Sequence, residues 1–169
     1  MIVTSRRIAD TWLLWAPLSA AILHIVEEFV WPGGFMRWYK HYRGASVSSI
    51  TPRFLMIINL ILLAACWNAA VAAGTQPTTQ FAIAYWIAIS AILCSNGVWH
   101  LWAAAKSRTY SPGTITGLIL YIPLSIYGFV YFLRSGFISI GGALVAVLIG
   151  SSYPWWSAAF HGRSRTAAA

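Results

Sequence analysis

Acidic residues are nearly missing from this chain of 169 residues: Asp10, Glu27 and Glu28 stand against 11 Lys and Arg. Charge of either sign is scarce, at 8% of residues, while 59% are hydrophobic and mean hydropathy is positive. Soluble domains carry about a quarter of their residues as charges, so a water-soluble globular fold is excluded. Cysteine is almost absent too. Cys66 and Cys94 fall in separate apolar runs with no CxxC pair, which excludes a disulfide framework and reads as packing. There is no low-complexity segment, and no nucleic-acid module that would turn the basic excess into a nucleic-acid surface.

What is abundant is apolar helix. A bilayer core needs about 20 residues of it, and such runs recur at 12–31, 54–73, 81–105, 114–133 and 137–153. The last is short and Gly-rich. The chain therefore reads as all-α, one multi-pass membrane domain over 1–169 with about five transmembrane helices. Arg6 and Arg7 precede the first run as in a secretory signal, yet the apolar pattern continues to Trp31, so a retained helix is expected.

Basic residues outside the spans set the orientation. One side has Arg6, Arg7 and Arg134; the other has Arg37, Lys40, Arg43, Arg53, Lys106, Arg108, Arg163 and Arg165. The richer side is expected in the cytoplasm of the inner (plasma) membrane, with the N-terminus outside and the basic tail, 154–169, inside. Residues 32–53 open with "WPGG" and continue "FMRWYKHYR", an alternation of rings and charges that suits an interfacial segment with His41 exposed. The same charges suit anionic lipid head groups, so membrane lipids are the expected partners.

The two adjacent acids lie in the inner third of the first span, in "HIVEE" at 24–28. At 100° per residue Glu27 and Glu28 flank His24 within about 60° on one face. An ionised acid near the bilayer centre costs roughly 2.5–3.5 kcal/mol, and two together repel, so a partner is required. The third span reaches the same depth with Asn96 and His100 one turn apart, and the second adds Asn59. The fourth begins at "YSPGT", where Ser111 can cap the helix, Pro112 fits its first turn, and the leading amides face the same region. Tyr121, Tyr127 and Tyr131 read as packing or belt residues, and His161 as a surface residue of the tail.

Three blocks in order, "HIVEE" at 24–28, "NGVWH" at 96–100 and "YSPGT" at 110–114, resemble those of the HXXEE-domain proteins, a family of small bacterial membrane proteins of undetermined function. The resemblance spans about residues 12–133. It implies a multi-pass fold and a metal or catalytic centre at the His and Glu positions, and it supplies no reaction.

The residues themselves suggest a chemistry. A catalytic zinc takes three protein ligands and keeps one position open, and His24, His100 and Glu28 make such a set. Glu27 is then the general base, with the roles of the two acids open to exchange, and Asn96 orients a ligand or donates to a substrate carbonyl. Tyr110, Ser111 and Thr114 are candidate substrate contacts. Zinc is the favoured divalent metal and iron the other. A polar cluster that only knits helices together is the plain alternative.

Three classes fit: a metal-dependent hydrolase of a lipid or other apolar substrate at the cytoplasmic face, a metal-free acid/base isomerase or cyclase of isoprenoid-like lipids, and a proton- or metal-coupled carrier subunit. Five short helices leave thin walls around a polar site, which makes a homodimer plausible.

Overall fold

The computed structural model describes residues 11–44, 51–76 and 79–155. Regular structure among them is helical throughout: α1 (Thr11–Phe29), α2 (Phe35–Arg43), α3 (Pro52–Thr75), α4 (Gln80–Ser107), α5 (Thr114–Arg134) and α6 (Ile140–Ser151). Of these, α1, α3, α4 and α5 are long and apolar enough to cross a membrane. Arg6, Arg7, His161, Arg163 and Arg165 lie outside the described residues.

Local chemistry sets the helix ends. The first helix, expected to reach Trp31, stops at Phe29 because Gly33 turns left-handed (φ +68°) and donates its amide to the Glu27 carbonyl at 3.0 Å. Thr51 caps α3 by accepting from the Phe54 amide, with Pro52 in the first turn. Ser139 does the same for α6 through Gly142. The fifth span is shorter than the expected 137–153. Its α-helix, Ile140–Ser151, is about 18 Å long at 1.5 Å per residue, and helical residues among those described run on to Trp155.

The central post is α4, which packs against α1, α3, α5 and α6. Half of its apolar window is buried, against 17% for α3. Small residues bring its neighbours close: Gly150 of α6 sits so near the Ala88 carbonyl that any Cβ there would overlap it. Trp86 of α4 is fully buried and donates its indole N–H to the Leu14 carbonyl of α1 at 3.1 Å. Large apolar side chains such as Ile61, Phe81, Leu148 and Ile149 are exposed, as a lipid-facing surface requires.

The stretch expected to be interfacial contains α2, with Phe35 buried and Arg37, Lys40, His41 and Arg43 exposed. Its rings pack on the end of α4: Trp38 lies 6.0 Å and Tyr39 5.9 Å from Trp99, centroid to centroid. The Trp38 indole donates to Thr109 at 3.1 Å, so the helix is tied across the end of the bundle.

Candidate functional site

At this end of the bundle three buried side chains converge from two helices. On α1, the four-residue spacing of His24 and Glu28 stacks them on one face, with His24 Nε2 3.6 Å from Glu28 Oε1. From α4, His100 Nε2 approaches the same Oε1 to 3.2 Å. One ligand-type atom from each of the three residues lies within 4.8 Å of the others, and none of the three is more than 6% exposed. A tetrahedral zinc with bonds of about 2.0–2.1 Å spaces its ligands about 3.3 Å apart, so the two carboxylate contacts fit that geometry. Glu28 Oε2 takes part in neither contact.

Hydrogen bonding fixes which nitrogen of His24 faces this volume. The Thr116 hydroxyl gives its one proton to Glu27 Oε2 at 2.5 Å, so at His24 Nδ1, 2.8 Å away, it accepts and Nδ1 carries the proton. The Asn96 amide donates to the single lone pair of Nε2 at 3.1 Å, so Nε2 carries no proton to give the Glu28 oxygen 3.6 Å away. His100 is steered from its other side by Ser111, whose Oγ is 3.0 Å from Nδ1. Both histidines thus have their Nδ1 engaged and their Nε2 aimed at Glu28, the arrangement that orients metal-binding imidazoles.

Glu27 faces elsewhere. Its Oε1 accepts from the Tyr110 hydroxyl and from the Gly113 and Ile115 amides, at 2.5, 2.9 and 3.0 Å. Its Oε2 accepts from the amide and hydroxyl of Thr116. Five donors and no acceptor surround it, which suits an acceptor-only carboxylate at a helix N-terminus, where free amides and the helix dipole favour a negative group. The amides at the start of α5 do face the site, but they are spent on this acid.

The expected cap is different in the structure. The helix starts at Thr114, because Gly113 adopts φ +101° and leaves Ser111 and Pro112 before the first turn. Ser111 holds His100 instead of capping. A Cβ on Gly113 would fall 2.7 Å from Cε1 of both His24 and His100, so the absence of a side chain there is what lets the loop close over the two rings. Tyr110 and Thr114, two candidate substrate contacts, are engaged inside the protein, Tyr110 with Glu27 and Thr114 Oγ1 with the Ser111 carbonyl at 2.6 Å. Tyr110 is outside the spans, and partial burial together with its bond to Glu27 pushes its phenol above the usual tyrosine range. No hydrogen bond among the described residues joins Asn59 to this cluster.

Sequence reasoning missed two residues, Thr116 and Tyr121. Thr116 links Glu27 to His24. Tyr121 is fully buried, and its ring stacks on His24 with centroids 4.5 Å apart and planes at 28°. It closes a widened π-helical turn, Gly117–Tyr121, inside α5. Pro123 follows at once and has no amide to offer the Ile119 carbonyl, which is the local reason for the irregular turn. The available hints were Pro123 and the pairing of Gly117 with Gly97, whose backbones touch where α4 meets α5. The far side of His100 is covered by Trp99 and by Phe35 of α2, 4.9 and 5.7 Å away.

No curated protein and no solved structure matches the chain. A family model described as a protein of unknown function with an HXXEE motif matches residues 15–128, which carry α1 through most of α5 and every side chain of the cluster, and the chain belongs to that family.

Proposed function

We propose that this protein is a membrane-embedded, metal-dependent enzyme, a hydrolase acting on a lipid or other apolar substrate at the cytoplasmic face. His24, Glu28 and His100 would hold the divalent cation, with zinc favoured over iron for two imidazoles and one carboxylate. The observation that carries this reading is the aim of the two Nε2 atoms at one Glu28 oxygen, with each Nδ1 engaged by a hydroxyl. An unprotonated His24 Nε2 offers the Glu28 oxygen no hydrogen bond, and a cation between them would be attracted by both. Such a cation supplies Lewis-acid activation of water and of a substrate carbonyl or phosphoryl group.

The remaining roles follow from position. Glu28 Oε2, outside both histidine contacts, would accept the proton of an attacking water, the role the sequence suggested for Glu27 with the two acids open to exchange. Glu27 acts as a positioning residue: through Thr116 it holds His24 in the tautomer that leaves Nε2 free. Asn96, half-buried and bonded to that Nε2, would be free to donate to a substrate oxygen if a cation took the lone pair.

Metal analysis of the purified full-length chain tests this reading. Near-stoichiometric zinc or iron is expected, and it should vanish in His24→Ala and His100→Ala variants that still fold. A folded, metal-free protein that turns over substrate overturns it. That outcome would favour acid/base isomerisation of an isoprenoid-like lipid, a reading supported by the rings of Phe35, Trp99 and Tyr121 around the two histidines, since aromatic faces stabilise developing cations.

A further inference from the structure

Two buried side-chain hydroxyls have no hydrogen-bond partner among the described residues, Ser90 Oγ and Tyr121 OH. They are not equivalent. Ser90 lies ten residues before His100 on α4, about 15 Å along the axis and away from the cluster. Tyr121 stacks directly on His24. A helical tyrosine leans toward the N-terminus of its own helix, and the N-terminal end of α5 is the one that meets Glu27 and the two histidines.

An unpaired buried hydroxyl is destabilising, and Phe would fill the same space without that cost. Packing therefore accounts for the ring of Tyr121 and leaves its oxygen unexplained. The stacking also fixes the phenol against an imidazole whose Nε2 faces the candidate cation position. We infer that the Tyr121 hydroxyl is a hydrogen-bond donor for the oxygen of a bound ligand, the carbonyl, phosphoryl or comparable oxygen atom that also meets the cation held by His24, Glu28 and His100. This rests on the metal-centre reading. Tyr121 would join the catalytic residues as the group that binds the reacting oxygen from the side opposite the metal, as oxyanion donors do.

The test uses the full chain in detergent, cobalt(II) as the metal and decyl hydroxamate as the probe, since its oxygens bind metals and its tail suits an apolar site. Tyr121→Phe should bind cobalt as the native protein does and melt at the same or a higher temperature. Its affinity for the hydroxamate, read from the cobalt visible bands, should fall about 10- to 100-fold, the range of a hydrogen bond to a charged oxygen. Ser90→Ala removes the other unpaired hydroxyl and should leave that affinity unchanged.

Equal affinity in Tyr121→Phe overturns the inference, and so does an equal loss in Ser90→Ala. A lower melting temperature in Tyr121→Phe also overturns it, because the hydroxyl would then be holding the protein together. Failure of the native chain to bind cobalt sinks the metal-centre reading and this inference with it, whereas cobalt binding with an unaltered Tyr121→Phe sinks this inference alone.

Discussion

Glu27 is where a single side chain has most influence on the site. Five donors converge on its carboxylate, so Glu27→Gln sets an amide N–H against some of them and removes the charge that the α5 N-terminus solvates. The expected loss is about 1.5–3 kcal/mol of stability in a denaturant titration, together with weaker metal retention because Thr116 no longer orients His24. Unchanged metal content in Glu27→Gln would exclude the positioning role. Tyr110 gives a pH-dependent counterpart. Its phenol is pushed above the unfolded value of about 10, so its bond to Glu27 contributes fully below pH 10 and is lost as pH rises through the folded value. Tyr110→Phe should remove that part of the alkaline destabilisation, as thermal melts between neutral pH and pH 11 would show. At this scale the sequence revealed His24, Glu28, Asn96 and His100, because helical spacing and the expense of polar groups in lipid both single them out. Thr116 and Tyr121 stayed hidden, since a threonine and a tyrosine are ordinary in a membrane helix and only the turn of α5 aims them at His24.

Among the elements, α5 departs most from regularity, and its departures shape the site. It meets α4 through Gly97 and Gly117, where a Cβ on either residue falls about 3 Å from the other's backbone. Gly117→Ala should therefore destabilise by roughly 1–3 kcal/mol, the range for forcing atoms into a packed contact, and should reduce metal binding by moving Thr116. If Gly117→Ala melts like the native protein, the close approach is not needed. The π-helical turn makes the opposite kind of prediction. Pro123→Ala restores an amide for Ile119, so the helix should regularise and gain stability while Tyr121 turns away from His24. A higher melting temperature with altered cobalt bands would be the expected pair of results. The four long helices were readable from hydropathy to within two residues at each end. The start of α5 at residue 114 was read correctly but its cap was misassigned to Ser111, because a left-handed Gly113 cannot be told from a first-turn glycine without coordinates. The alternation of rings and charges at 35–43 was legible, but the folding of α2 across His100 depends on Trp38, Tyr39 and Trp99 meeting from separate segments.

For the whole molecule, the described helices place the cluster, α2 and Lys106 at one end of the bundle, while Gln76 and Arg134 lie at the other. From the charge count we propose that the first end faces the cytoplasm. Single cysteines at Lys40 and at Gln76 in a chain lacking Cys66 and Cys94 should be labelled by an impermeant thiol reagent from opposite sides of sealed vesicles, Gln76→Cys from outside. The reverse pattern would move the candidate site to the outer face.

The short α6 adds a different consequence. Its regular part, Ile140–Ser151, is about 18 Å long at 1.5 Å per residue, so the flank of α4 that it covers meets lipid through a short helix. In a hydrocarbon core of about 30 Å a helix of that length would strain the lipid beside it. Membranes with short acyl chains should relieve that strain, and those with long chains should drive copies together along α6.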